Sequence, residues 1–359
     1  MMELVRTRYS TIKIDDDSKV ISDNWEKIQF DQIDLKRFKH LVDIENFDII
    51  IFPLKKKFAL KQDVDFEIFP RGEGSDSGDK FSDFLKNSSD LLRLQGNKIL
   101  SIFFYDDDFK EKVFFTSRLE IYVKEPTDFV ELFLGKNAFS CINSIDFKLF
   151  PFSHLKYFSF EDSNGSFSIQ KRFFNLDKDA KLDFGRIWSG NSIFFSFDNF
   201  LLEGYGASCS VFDVIFGRQK KSLEINSRID HIGEKTSGYL SARAVMYDSA
   251  VLNYVGGAKV WPKSFNSDSY VELKGIKMSD SARIYFVPLM EIDTSLVKAK
   301  HSSSIGKVGE NELFYMMSRG LDENEAREII VEGFVREVVS KMNIPDLISP
   351  TFPFLYQKL

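Results

Sequence analysis

The chain has 359 residues, enough for one large domain or two to three modules with an ordinary core. Hydrophobic residues at 43% and charged residues at 28% exclude a disordered or membrane-embedded class. A formal net charge of −6 excludes the basic field that draws phosphate backbones, so nucleic acid is not an expected partner.

Residues 1 to about 75 read as a mixed N-terminal region. It holds an acidic patch at Asp15, Asp16 and Asp17 and an imperfect amphipathic helical pattern from Trp25 to Val42. Phe47 to Phe52 is a continuous apolar run bounded by Asn46 and Pro53, and its length and β-branched content predict a buried strand. Lys55, Lys56 and Lys57 read as a solvated loop. Residues 70–80 mix Pro, Gly, Ser and Asp without apolar period, which places a domain border there.

From about residue 76 to 290, apolar runs of four to eight residues return again and again between polar clusters. Ile99 to Tyr105, Leu119 to Val123, Phe129 to Leu134, Ile193 to Phe197 and Ser210 to Phe216 are examples. The 38 Phe residues suit pleated, half-buried surfaces. No stretch sustains the helical period that crossover helices of a parallel α/β sheet require, so a mainly β body is expected. Sandwich, barrel and stacked solenoid all suit short strands with frequent turns. Small residues between the later strand-like units, such as Ser237-Gly238 and Gly256-Gly257, favour coil corners and hence stacking.

Residues 291–359 read as a helical subdomain. Pro288 to Ile292 is strand-like, Lys298 to Ser304 reads as a polar connection carrying His301, and helical spacing starts at Glu310. Gly320 suits a left-handed helix end, and Asp322 with Glu325 forms a capping-box pattern for a second helix. That helix is apolar over most of its girth, with Ile329, Ile330, Phe334 and Val338 on one side and Val331, Val335, Val339 and Met342 on another. After Met342, prolines at 345, 350 and 353 preclude a continuous helix.

Candidate chemistry is sparse. Cys141 and Cys209 have no metal-ligand spacing and read as reduced core residues. His301 is the best candidate for a metal contact, since imidazole suits iron, whereas His231 reads as structural and His40 and His154 stand among surface-type neighbours. Asp and Glu fall mostly in turns without the paired carboxylates of a carbohydrate-active β-helix enzyme, the alternative of another class. No nucleotide loop or nucleophile elbow is present, and no enzymatic activity is expected. Phe314, Tyr315, Met317 and Arg319, with Gly320 and Glu325, make an expected protein contact. Without an 18-residue apolar run or a signal-peptide core, the chain is expected to be cytoplasmic, away from membranes.

The segments HSSSIG from His301, ELFYMMSRGL from Glu312 and EAREIIVEGF from Glu325, in this order, resemble the SufB/SufD family of SUF iron–sulfur cluster assembly scaffolds. Weaker likeness reaches back through His231 to Gly238 and Arg243 to Val260. The resemblance implies a right-handed parallel β-helix core with a C-terminal helical subdomain. It also implies a SufC-type ATPase partner on that subdomain and a SufB-type homologue, or a second copy, paired through the β-helix. His301 matches the histidine that SufD-type subunits present at that interface, which implies a transient iron or iron–sulfur cluster contact and no permanent cofactor. Ala299 departs from the pattern, standing where SufD relatives often have cysteine. Ser302, where SufB has glutamate, and the absence of any cysteine after Cys209 make the chain look like the SufD-type member. A homodimeric scaffold acting with SufC alone is the alternative.

Overall fold

The computed structural model describes residues 2–6, 11–14, 19–21, 26–29, 46–53, 56–60, 65–71, 80–103, 113–135, 140–163, 167–189 and 193–344. The lead-in contributes β1 (Met2–Arg6), β2 (Thr11–Ile14), β3 (Lys19–Ile21), β4 (Glu26–Ile28), β5 (Ile49–Phe52), β6 (Lys57–Leu60), β7 (Phe66–Phe69) and the short helix α1 (Lys80–Ser88). Then come β8 (Leu91–Gln95), β9 (Lys98–Phe103), β10 (Val113–Val123), β11 (Thr127–Gly135), β12 (Ser140–Leu149), β13 (His154–Ser163), β14 (Phe167–Leu176) and β15 (Lys181–Trp188). The body continues with β16 (Ile193–Leu202), β17 (Ser208–Gly217), β18 (Ser222–His231), β19 (Ser237–Met246), β20 (Val251–Val260), β21 (Ser267–Lys277), β22 (Arg283–Ile292) and β23 (Val297–Lys307). Two helices close the described chain, α2 (Glu310–Ser318) and α3 (Glu323–Val339).

From β8 onward each strand pairs in parallel with the next but one, so even-numbered strands build one sheet and odd-numbered strands the other. The result is a β-solenoid of about eight turns. Matching positions lie 27 residues apart from Phe184 to Val211 and 31 apart from Leu240 to Val271, a period too variable to leave a motif. At the start of the stack β7 runs antiparallel to β8, and β5 joins β9 while turning back into antiparallel β6. The predicted strand at 47–52 is β5, with Phe47 fully buried.

Strict register turns sequence alternation into columns. Ile99, Phe129, Tyr157, Phe184, Val211, Leu240 and Val271 form one inward column, and Ile121, Phe147, Phe174, Phe200, Ile229 and Ala258 face it from the other sheet. Rings stack from coil to coil, with Tyr157 to Phe184 at 4.8 Å and Phe147 to Phe174 at 4.7 Å, and meet edge-on across the core, with Phe174 to Phe184 at 5.8 Å. From Phe129 to Phe184 in one column and from Phe147 to Phe200 in the other, rings repeat from coil to coil and fill the lumen, which is one use of the Phe-rich composition.

Corners depart from the expectation of small residues. Phe152 (φ 62°), Asp179 (φ 52°), Lys235 (φ 54°) and Asn266 (φ 59°) take the left-handed conformation there, alongside Gly206 (φ 72°). Each of these N–H groups donates to a carbonyl of the following coil, as from Phe152 to Lys178 at 2.9 Å and from Lys235 to Phe265 at 2.8 Å. The stack itself therefore pins the corner.

Three local readings are corrected. Most of the helix read over Trp25 to Val42 lies outside the described residues, and within it Glu26–Ile28 is a strand paired with β6. Lys56 is buried and its ammonium donates to Ser89 Oγ, so it is no solvated lysine. Lys298 to Ser304 is part of β23, not a connection: it pairs residue for residue with β21 through Lys307. Its polarity misled because among the described residues no later coil covers it, so burial does not demand apolar residues. The Asp15 to Asp17 patch, the loop at 72–79, His40 and the proline-rich end lie outside the described residues.

The helices sit on the outer face of the odd-numbered sheet. Val335, Val338 and Val339 of α3 pack with Phe212, Val214 and Val245. Arg243, fully buried beneath α3, donates from Nη2 to Glu272 Oε2 at 2.9 Å and to Glu337 Oε2 at 3.0 Å. Asn343 donates to Asp183 Oδ2 at 2.7 Å. No described helix is long and apolar enough to cross a membrane.

Candidate functional site

His301 stands on β23 directly beside Val271, so it extends the inward column that begins at Ile99. Its side chain is nevertheless exposed, because β22 and β23 are the edges of their sheets and, among the described residues, nothing stacks on the last coil. Around it the open coil presents Tyr285, Leu289, Ile292, Leu296 and Ile305, each more than two-fifths exposed. An unpaired strand edge flanked by uncovered apolar groups is a surface prepared for strand pairing. Among the described residues no group of three or more His, Cys, Asp or Glu could hold a metal ion, so His301 offers one ligand and not a site.

The helical arm presents the second feature. Asp322 accepts from the Glu325 N–H at 2.9 Å and Glu325 Oε2 accepts from the Asp322 N–H at 2.9 Å, completing the predicted capping box. Gly320 takes φ +99°, the left-handed end foreseen for α2. Leu313 points into the body, whereas Phe314 is 75% exposed and Tyr315 and Met317 are exposed beside Arg319. Residues 310–340 carry eight carboxylates against three arginines, a net −5 to set beside −6 for the whole chain. An acidic arm with a bare aromatic patch suits a basic, apolar partner surface and repels a second arm like itself.

Sequence reasoning missed a buried ionic network inside the solenoid. Arg172 donates to Glu131 Oε2 at 2.7 Å and to Asp198 Oδ1 at 3.1 Å; Arg186 donates to Asp198 Oδ2 and Asp213 Oδ2, each at 2.8 Å. All five side chains are buried. Tyr157 donates to Glu131, Tyr254 to Asp213, and Ser196 to Asp198 at 2.8 Å. Burial would push the Asp198 carboxyl up, but Arg186 and Arg172 hold it below its usual range. These carboxylates do not sit in turns as expected. They are consumed by guanidinium groups and closed off from solvent, so they offer no acid–base pair to a sugar.

Both thiols are buried and unpaired. Burial pushes Cys141 up to about 12 and raises Cys209 as well, so neither supplies a thiolate. His231 is fully buried with Nδ1 2.8 Å from Thr236 Oγ1, a corner brace. His154 is not alone, for its Nε2 lies 2.8 Å from Asp183 Oδ2.

Comparisons with known proteins converge. A family profile described as SUF system FeS cluster assembly, SufBD core domain, matches residues 121–334. The chain is 30% identical over 178 residues to the iron-sulfur cluster assembly protein SufD of Bacillus subtilis, covering 49% of this chain and 40% of that protein. It is 23% identical over 185 residues to an iron-sulfur cluster assembly SufBD family protein of Synechocystis, covering 50% and 38%. A SufBD family protein of Methanothermobacter thermautotrophicus is 33% identical over 145 residues, covering 39% and 34%. The matched segment thus spans about two fifths or less of each of these relatives.

Proposed function

The chain belongs to the SufBD family of iron–sulfur cluster assembly proteins, and from that premise we propose that it is a non-enzymatic, SufD-like scaffold subunit. In this reading it meets a SufB-type homologue through its open coil and a SufC-type ATPase through its helical arm. The observation that carries it is the exposure of His301 on an otherwise buried column, at the edge where another chain would pair.

The steps follow from the residues. The edges of β22 and β23, ten and eleven residues long, offer backbone donors and acceptors to a second solenoid end. Pairing there brings His301 to the seam, where its imidazole supplies a nitrogen ligand to a cluster that is cargo and not a resident group. Thiolates for that cluster come from the partner, because Cys141 and Cys209 are sealed in the core. Phe314, Tyr315, Met317 and Arg319 contact the ATPase, with Gly320 and Glu325 shaping the helix ends beside them. Nucleotide-dependent closure of the ATPase acts on the seam only to the extent that the arm is held differently in the two nucleotide states.

Co-expression of the chain with a cysteine-bearing SufB homologue and a SufC-type ATPase, followed by affinity capture, tests the assignment. A stoichiometric ternary complex supports it. Capture of neither protein refutes it, and a stable complex of two copies with the ATPase alone replaces it with the homodimeric alternative.

A further inference from the structure

The outer face of the even-numbered sheet carries a groove of about 210 Å³ near the open end of the stack. Asn199, Arg228, Gly257 and Leu289 share one rung of β16, β18, β20 and β22. Each is followed by an inward residue of the Phe200 column, so alternation turns all four positions outward. Asn226 and Val255 share the next outward rung.

Two glycines stand side by side on β20, and packing demands only one of them. A Cβ at Gly256 would press on Leu273 at 3.0 Å, whereas one at Gly257 would meet Leu289 at 3.5 Å and Arg228 at 4.0 Å, which are ordinary contacts. Gly257 does not take a left-handed φ either. Inside a strand, glycine weakens the sheet and marks a bulge or a place where another backbone or a ligand comes close. Pairing of β18, β20 and β22 runs without a register shift, so no bulge accounts for it. What the missing side chain leaves is a notch in the groove between Arg228 and Leu289.

The walls specify what fits. Arg228 donates to Asp230 Oδ1 at 3.1 Å and Lys259 pairs with Glu291 at 3.2 Å, so the charges around the groove cancel and leave no field for an ion. Asn199 and Asn226 have no side-chain hydrogen-bond partner among the described residues. Each amide offers a donor and an acceptor side by side, the complement of the N–H and C=O that an extended chain presents. Val255 and Leu289 add apolar surface beside the notch.

We propose that this groove docks an extended, uncharged peptide segment of another protein, with one aliphatic side chain in the Gly257 notch and backbone N–H and C=O groups on Asn199 and Asn226. The site uses side chains of one chain and depends neither on pairing at the open coil nor on the helical arm.

N-acetyl-leucine N′-methylamide, which carries two amides and one aliphatic side chain, is the probe, and saturation-transfer NMR on the isolated full chain reads its binding. Saturation is expected to reach the isobutyl methyls most strongly. Gly257→Val fills the notch with a residue that strands favour, so transfer should vanish while the melting temperature holds or rises. Asn226→Ala, at an exposed position, should raise the dissociation constant about fivefold, the loss of one neutral hydrogen bond. The proposal is overturned by the absence of transfer from the wild-type chain, by equal transfer from wild type and Gly257→Val, by an unchanged constant in Asn226→Ala, or by transfer to methyl glucoside in place of the amide.

Discussion

Val271 and His301 occupy the same rung of neighbouring strands, yet Val271 is sealed from solvent and His301 is exposed. Their backbones are alike; only the presence of a following coil differs. Val271→Ala is therefore expected to destabilise the chain by about 1–3 kcal/mol through a cavity, whereas His301→Ala should change stability by less than about 0.5 kcal/mol. Urea unfolding separates the two. His301→Ala should instead lower the cluster content of the reconstituted assembly, and equal content would return His301 to an inert surface position.

The interior ion network should tolerate truncation badly. Asp198→Ala leaves Arg172 and Arg186 each short of a buried counter-charge, and a loss of about 3–5 kcal/mol is expected. Chemical denaturation reads it. A joint replacement of Glu131, Arg172 and Asp198 by apolar residues of similar volume should cost less than Asp198→Ala alone, because the remaining Arg186 keeps Asp213 and no charge is then stranded.

Acid should weaken the fold through His231. Burial lowers its pKa to about 4, against an ordinary value of about 6.5 in the unfolded chain. The unfolded state thus binds the proton first, and this residue's contribution is complete above pH 6.5 and is lost as pH falls towards 4. The loss approaches about 3 kcal/mol. His231→Gln, which keeps a polar side chain but cannot titrate, should flatten the melting temperature over that interval.

The exposed patch of the arm should separate binding from folding. Phe314→Ala and Tyr315→Ala remove large side chains that the chain itself does not bury, so melting temperature should hold while affinity for a SufC-type ATPase, the partner proposed for this arm, falls at least tenfold. Leu313→Ala, one residue away and buried, should do the reverse and lower stability by about 2–4 kcal/mol. Isothermal titration alongside thermal melting distinguishes these outcomes.

Alternation and turn chemistry made the β body readable, and the caps at Asp322 and Gly320 made the helix ends readable, because those signals act over four residues or fewer. What stayed hidden depends on contacts about 30 residues apart. The pairing of Arg172 with Glu131 joins residues 41 positions distant, and nothing local marks either as inward-facing. The strand nature of 297–307 was lost for a related reason: with no described coil above it, β23 carries serines and lysines where interior strands carry Phe and Val. His301 was singled out by its ligand chemistry and its surrounding motif, but its place at the end of a buried column required the register.

The two ends of the solenoid differ in kind. At the start, β4 and β7, of three and four residues, edge the sheets, and antiparallel β6 and β7 reverse the strand direction, whereas β22 and β23 end the stack at full length. A rod with a blunted foot and a bare head can join head to head once and then has nothing left to propagate with. For the edges that the described residues form, growth by strand addition would therefore stop at a pair, so a long row of uncovered backbone groups need not lead to fibres.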